Sequence, residues 1–473
     1  MDLCKNFLLK GVLSTSAFLV SGTILADNPG QSAEGENAEI GNRPNIIFIM
    51  ADDLGYGDLG CYGQQKIQTP NIDKLAGEGM RFTQAYAGST VSAPSRCSLM
   101  TGLHNGHNRV RDNIPHGVFL MPDDFTIAEM LKQAGYKTGG IGKWSLGNPG
   151  SWGIPINQGF DYYYGHLNQD QAHFYYPDYL WENDEVVLLF GNRAEMKKEY
   201  TQDLFTEKAI NFIKENRSTP FFLYLPYTTP HYSDYPTDSP EHYLVPSDQP
   251  YTEKEWPQLA KNYAAMITRL DSDIGKIVEL IRDLSLEENT LIIFTSDNGP
   301  YQGVTIPIEF FDSNGPYRGG KRDMYEGGIR IPFIAKWKNV IPEGVENSEQ
   351  IAFWDILPTF AEIVNYPGKI KTDGISILPL LLREKKLNAD RYFYWDYGHA
   401  REIYSQAVRY KYYKGIFQSG KGGKSFMLYN LENDPGETKD ISSENPEMVK
   451  KIKMMMKESY IYSEQFDISQ YLL

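Results

Sequence analysis

Residues 45–50 read Asn-Ile-Ile-Phe-Ile-Met and run straight into Ala51, Asp52 and Asp53, so an almost wholly apolar run ends on two adjacent carboxylates. A strand covered on both faces needs such a run, and strands of this kind belong to mostly parallel sheets flanked by helices. The acids then stand at the strand's C-terminal end. The pattern returns at residues 290–295 (TLIIFT), which lead into Ser296, Asp297, Asn298 and Gly299. Two strands thereby deliver polar groups to one sheet edge. Between them helical and strand patterns alternate: a helix over 126–134 stopped by Gly135, a strand at 138–141, a helix over 204–213 and a strand at 221–225. A long helix over about 259–284 carries Ile267, Leu270, Ile274, Ile277, Val278 and Ile281 on one face, as core packing requires. This is an α/β chain with a large, mostly parallel sheet. From Arg391 onward the pattern changes to short aromatic strands (RYFYW, SQAVRY, KYYKGIF, SFMLYNL), a polar loop over 432–445 and a terminal helix. These predict a smaller antiparallel α+β subdomain over 386–473, after a main domain over 43–385.

The chain has 473 residues, 41% hydrophobic and 23% charged, which is enough for one large core with an appendage. Lys5 and Lys10 precede an apolar stretch over 11–26, and residues 27–42 are rich in Gly, Glu and Asn. That order predicts a signal peptide over 1–26, a flexible lead-in over 27–42 and export, most simply to the periplasm. The competing reading, a membrane anchor, is opposed by the shortness of the run and by Ser14, Thr15, Ser16, Ser21 and Thr23 within it. Cys4 leaves with the signal, and Cys61 and Cys97 make neither a disulfide framework nor a metal-ligand spacing. The formal charge of −15 argues against nucleic acid as a partner, and an anionic substrate would have to meet a locally basic pocket.

Residues 90–102 read TVSAPSRCSLMTG. Taken alone, Ser92 ahead of Pro94 reads as a helix cap. The segment, however, resembles the sulfatase signature Cys/Ser-x-Pro-Ser-Arg with its Thr-Gly end. The likeness continues through Arg43-Pro44-Asn45-Ile46-Ile47 and Asp52-Asp53-Leu54-Gly55-Tyr56-Gly57-Asp58 and over essentially the whole mature chain. The resemblance implies an alkaline-phosphatase-like fold and a serine-type member, in which Ser92 is oxidised to formylglycine by a radical iron–sulfur maturase before export. It makes Asp52, Asp53, Asp297 and Asn298 metal ligands, together with an oxygen of the modified Ser92. An all-oxygen set suits calcium before magnesium. Each of these pairs alone would be an ordinary turn former. Arg96, Lys143 in Gly-Lys-Trp and Lys321 in Gly-Lys-Arg match the family's cations around formylglycine and sulfate. His231 in Thr-Thr-Pro-His matches its general acid, with Lys321 assisting. One position departs: after Gly-Lys-Trp the family has His-Leu-Gly, whereas this chain has Ser145-Leu146-Gly147. His173, in Gln171-Ala172-His173, is the candidate to fill that gap.

Aromatic stretches at Tyr175-Tyr176-Pro177, Tyr179-Leu180-Trp181 and Tyr394-Trp395-Asp396-Tyr397-Gly398-His399 suit either a sugar-binding rim or core packing. As a rim they make His173, Tyr176, Trp395 and His399 candidate substrate contacts. The likeness over 171–181 points to sulfated galactose or N-acetylgalactosamine units of host glycans or algal galactans. The acidic charge favours exo action over tracking along a polyanion. Two rival readings stand beside this one. A phosphatase or phosphodiesterase of the same superfamily would need two zinc ions and further Asp/His ligands, and a non-catalytic protein would merely hold sulfated glycans.

Overall fold

The computed structural model describes residues 43–113, 117–169, 171–233, 242–303, 306–384, 387 and 390–471. The expected signal peptide, the lead-in and the domain boundary at 385/386 lie outside the described residues. The strands of the main sheet are β1 (Asn45–Ala51), β2 (Met80–Tyr86), β3 (Lys137–Lys143), β4 (Tyr162–His166), β5 (Tyr179–Glu182), β6 (Glu185–Leu188), β7 (Phe221–Pro226), β8 (Thr290–Ser296), β9 (Arg330–Lys336), β10 (Val345–Asn347) and β11 (Ile351–Ala352). They line up in the order β10-β2-β9-β8-β1-β7-β3-β4-β5-β6, with β11 paired to β2.

The sheet has a core on each face, and β1 shows why its sequence is apolar throughout. Ile46, Phe48 and Met50 point into one core, Ile47, Ile49 and Ala51 into the other, and none is more than 1% exposed. The first core is covered by α2 (Ser92–Thr101), α3 (Ile127–Gln133), α7 (Ile356–Ile363) and α8 (Leu378–Leu381), and the second by α1 (Pro70–Gly77), α4 (Thr201–Asn216) and α5 (Gln258–Asp283). The face predicted for the long helix is the one buried: Ile267, Leu270, Ile274, Ile277 and Ile281 are at 0% exposure. The same helix turns Asp271 toward the start of α1, where its carboxylate accepts the free N–H groups of Asn71 and Ile72 at 3.2 and 2.7 Å. Thr126 caps α3 by accepting from the Glu129 N–H at 3.1 Å, and Gly135 follows the helix at φ +86°.

The central strands are parallel, as the sequence predicts, whereas β9 runs antiparallel to both β8 and β2, and β4, β5 and β6 form antiparallel hairpins at one end. The C-terminal sheet is antiparallel in the order β12 (Tyr392–Tyr397), β13 (Ile403–Tyr410), β14 (Tyr413–Gly420), β15 (Gly423–Asn430). One face of it packs on Tyr86, Val91, Met324, the short α6 (Glu326–Ile329) and Trp354 of the main body, and the other is covered by α9 (Pro446–Ser459). Cys61 and Cys97 are both free. Among the described residues no helix is long and apolar enough to cross a membrane.

Candidate active site

Strands β8, β1, β7 and β3 lie side by side and parallel, so their C-terminal ends open on one edge of the sheet, the edge where open α/β sheets collect ligands. Asp52 and Asp53 follow β1, Asp297 and Asn298 follow β8, Lys143 ends β3, and the turn after β7 carries His231. Backbone bonds hold these ends together: Asp297 N–H donates to Ala51 O and Asp52 N–H to Thr229 O, each at 3.1 Å. The loop before α6 brings Lys321. Its N–H donates to Pro300 O at 2.8 Å, and Arg322 N–H donates to Thr90 O at 3.0 Å, which ties that loop to the Ser92 segment.

Ser92 is the first residue of α2, a helix buried along its length. Its hydroxyl donates to Asp52 Oδ1 at 3.0 Å and accepts from Lys143 Nζ at 3.4 Å. Lys143 also donates to Asp52 Oδ2 at 2.6 Å. Arg96, one turn along α2, donates to Asp297 Oδ2 from Nε and Nη2 at 3.1 and 2.8 Å, and from Nη1 to Lys143 O. On the other side Asp53 accepts from Lys321 Nζ at 2.7 Å and from Asn298 Nδ2 at 2.8 Å. Asp53 sits at φ +63°, a left-handed conformation fixed by its N–H donating to Asp297 Oδ1 at 3.1 Å. Nearly all of these groups are excluded from solvent. A buried charge left unpaired costs several kcal/mol, so interlocking pairs are the condition for placing so many here.

The electrostatics follow from that crowding. Burial opposes the Asp52 carboxylate, yet Lys143, His231 and Arg96 beside it hold its pKa well below the usual value. Asp297 goes the other way: burial, then the charge of Asp52, push it up to about 6 despite Arg96. Burial depresses His231 well below the ordinary histidine value, with His173 and Lys321 adding to it. Three carboxylates, Asp52, Asp53 and Asp297, face three cations, Arg96, Lys143 and Lys321, so drawing in an anion requires further positive charge. The donor set fits a hard divalent cation. Candidate ligand atoms of Asp52, Asp53 and His231 lie within 4.8 Å of one another, and Asn298 Oδ1 is buried with no hydrogen-bond partner among the described residues.

His231 donates from Nδ1 to Tyr232 O, which leaves Nε2 to meet Lys321 Nζ at 2.9 Å. His173 lies flat against it, with ring centroids 3.8 Å apart and planes 9° apart, and its Nε2 is 3.4 Å from Lys143 Nζ. The structure thus gathers Ser92, Arg96, Lys143, His173, His231 and Lys321 with the four predicted ligands. Ser145 stands at φ +67°, and its buried hydroxyl has no partner among the described residues.

Two expected substrate contacts are corrected. Trp395 is 0% exposed, stacks on Phe393 and donates from Nε1 to Ala87 O at 2.8 Å. The His399 side chain is also 0% exposed, packed against Tyr404 and Phe466 with Nε2 3.5 Å from Asp396 Oδ2. Trp395 is core because its face of the C-terminal sheet packs on the main body, and His399, in the turn after β12, is closed over by Phe466. Tyr176 remains half-buried at the surface. Sequence reasoning missed two braces. Ser296 Oγ accepts from Leu54 N–H and donates to Asn298 O, both at 3.0 Å, and the Tyr175 hydroxyl donates to Thr228 O at 3.0 Å and to His231 O. Neither residue type in its local sequence signals such a long-range bond.

Over residues 44–366 the chain matches the family described as Sulfatase, and over 318–465 the family described as N-sulphoglucosamine sulphohydrolase, C-terminal. It is 30% identical over 516 residues to an N-acetylgalactosamine-6-O-sulfatase of Bacteroides thetaiotaomicron, covering 93% of this chain and 97% of that one. It is 32% identical over 460 residues to arylsulfatase G of Rattus norvegicus, covering 86% and 84%. In three dimensions it is similar to the crystal structure of Ps i-CgsB in complex with k-i-k-neocarrahexaose, with a TM-score of 0.77 and 28% identity over 90% of this chain and 96% of that one. The strand-end carboxylates, the serine at the head of α2 and these likenesses lead to one conclusion: the chain belongs to the sulfatase family and is a sulfuric ester hydrolase.

Proposed function

We propose that this protein is exported, to the periplasm, and removes sulfate from sulfated galactose or N-acetylgalactosamine units of glycans. In this reading Ser92 is converted to formylglycine by a radical maturase, and Asp52, Asp53, Asp297 and Asn298 hold a calcium ion. The observation that carries the reading is the position of the Ser92 hydroxyl, within reach of both Asp52 and Lys143 in a pocket of paired charges. The family works with formylglycine and a metal ion. When present here, they supply a hydrated aldehyde able to take up and release sulfate and the extra positive charge that draws the anion in.

The chain's own residues do the rest. Lys143, Lys321 and Arg96 neutralise charge as it builds on the sulfuryl oxygens, in a site where burial strengthens every such interaction. His231 acts as general acid with Lys321 as its proton source: Lys321 Nζ, which donates to the unprotonated His231 Nε2, gives up a proton that the imidazole passes to the departing sugar alcohol. His173 Nε2 accepts the proton that must leave before sulfate is expelled, the role of the histidine absent at Ser145. Replacing His173 by alanine is expected to lower kcat by about 10²–10⁴-fold at unchanged formylglycine content. Turnover equal to wild type in that variant would remove His173 from the chemistry.

The reading is tested by peptide mass spectrometry on protein from its native host or from cells with an active maturase. The Ser92 peptide should have lost two hydrogens, and metal analysis should find one calcium per chain. Unmodified serine beside a working maturase would overturn it in favour of a glycan-binding protein. Two zinc ions per chain would point instead to a phosphatase.

A further inference from the structure

Immediately after His173 the chain leaves the catalytic pocket for the surface. Phe174 and Tyr179 are 36% and 37% exposed, and with the half-buried Tyr176 they line an open groove of about 620 Å³. That volume lies within the range of small-molecule sites. The groove's wall is fastened to the catalytic residues: Ser233 Oγ donates to His173 O at 2.9 Å, and Tyr175 is tied to the carbonyls of Thr228 and His231. Gln171 Nε2 donates to Tyr179 O at 2.8 Å and fixes the aromatic strand against the turn that carries His173. One segment, 171–179, therefore supplies an imidazole to the reaction and aromatic rings to the neighbouring surface.

Unlike the charge-balanced pocket beside it, the groove is net acidic. Its lining includes the carboxylates of Asp178 and Glu195 against the single ammonium of Lys197. Such a surface repels a uronate or a second sulfate, whereas flat rings favour the apolar face of a neutral pyranose.

We propose that this groove is a subsite for an uncharged sugar ring adjoining the sulfated unit, so that the substrate is a sulfated oligosaccharide with a neutral neighbour and not one alternating with uronic acids. The inference deepens the sulfated-carbohydrate reading and rests on it, and two readouts separate the fates of the two. In kinetics, the double variant Phe174→Ala/Tyr179→Ala should raise KM about tenfold on a galactan oligosaccharide sulfated on its terminal unit. It should leave kcat, and both constants on the monosaccharide sulfate, as in wild type. Asp178→Asn/Glu195→Gln should improve KM for a sulfated disaccharide whose neighbour is a uronate. In calorimetry, Ser92→Ala protein should bind an unsulfated neutral galactan disaccharide, and adding the two aromatic changes should abolish that binding. Equal KM changes on monosaccharide and oligosaccharide, or binding indifferent to Phe174 and Tyr179, would overturn the subsite. Ring-dependent binding in a wild-type protein that turns over no sulfated sugar would uphold it while removing the catalytic reading.

Discussion

Ser92→Ala should reduce turnover of any sulfated sugar by at least about 10⁴-fold, the scale on which removal of a covalent nucleophile acts, while the protein stays folded. Ser92 Oγ makes its described contacts inside the site, to Asp52 and Lys143. Alanine keeps the β-carbon and the backbone of α2, whose next N–H, that of Ala93, is satisfied by Asn113 Oδ1 at 2.8 Å. Lys143 keeps its direct pairing with Asp52 at 2.6 Å, so no charge is orphaned by the change. The stability difference should therefore stay within about 1 kcal/mol, the net worth of one hydrogen bond. Turnover and Tm measured on the same preparations separate the two effects. Activity within tenfold of wild type would place the nucleophile elsewhere.

The parts of this molecule that could be read from sequence are those where a single local rule has no competitor. A strand buried on both faces must be apolar at every position, so β1 and β8 announce themselves, and the polar residues that follow have to lie at the strand ends. The face of α5 was legible for the same reason. Strand β9 was not: in residues 330–336 (RIPFIAK) a proline and charged ends interrupt the apolar run, and the antiparallel pairing with β8 and β2 is decided by connections that no local pattern encodes. Strands β5 and β6 escaped notice because they are four residues long and mostly half-exposed or exposed. Trp395 and His399 show the limit most clearly. An aromatic strand can serve a sugar or a core equally well, and coverage by the main body and by Phe466 settled the matter here. His173 could be named from its neighbours in sequence, yet its stacking on His231 depends on a loop held by Ser233 and Tyr175.

The largest effect on stability is expected far from Ser92, at Lys414→Met. Lys414 lies on β14 with its side chain at 0% exposure, and its ammonium pairs with Glu326 Oε1 and Glu437 Oε1, each at 3.0 Å. Glu326 opens α6 just after the loop that carries Lys321, and Glu437 accepts the Glu326 N–H at 2.6 Å, so the cluster fastens the C-terminal sheet to the active-site side of the main body. Glu326 has other support, from the Tyr86 hydroxyl at 2.7 Å and Arg330 at 3.1 Å. Glu437 depends on Lys414: burial already raises its carboxyl to about 7, with Lys414 the principal opposing influence. Methionine fills the space but leaves that carboxyl only the Glu326 N–H and no lysine counter-charge, and breaking one side of a buried pair costs about 3–5 kcal/mol. Adding Glu437→Gln removes the stranded charge and should restore most of the loss, which a double-mutant cycle from denaturant midpoints would report as coupling. The pH dependence has a definite sign. A carboxyl whose folded pKa lies above its unfolded value stabilises most below the unfolded value and loses that contribution as pH rises through the folded one. Near pH 5 Glu437 is protonated in the folded wild type and variant alike, so the deficit of Lys414→Met should shrink there and be largest above about pH 8. A deficit below about 1 kcal/mol at every pH would mean that apolar packing alone, and not this charge cluster, holds the C-terminal sheet in place.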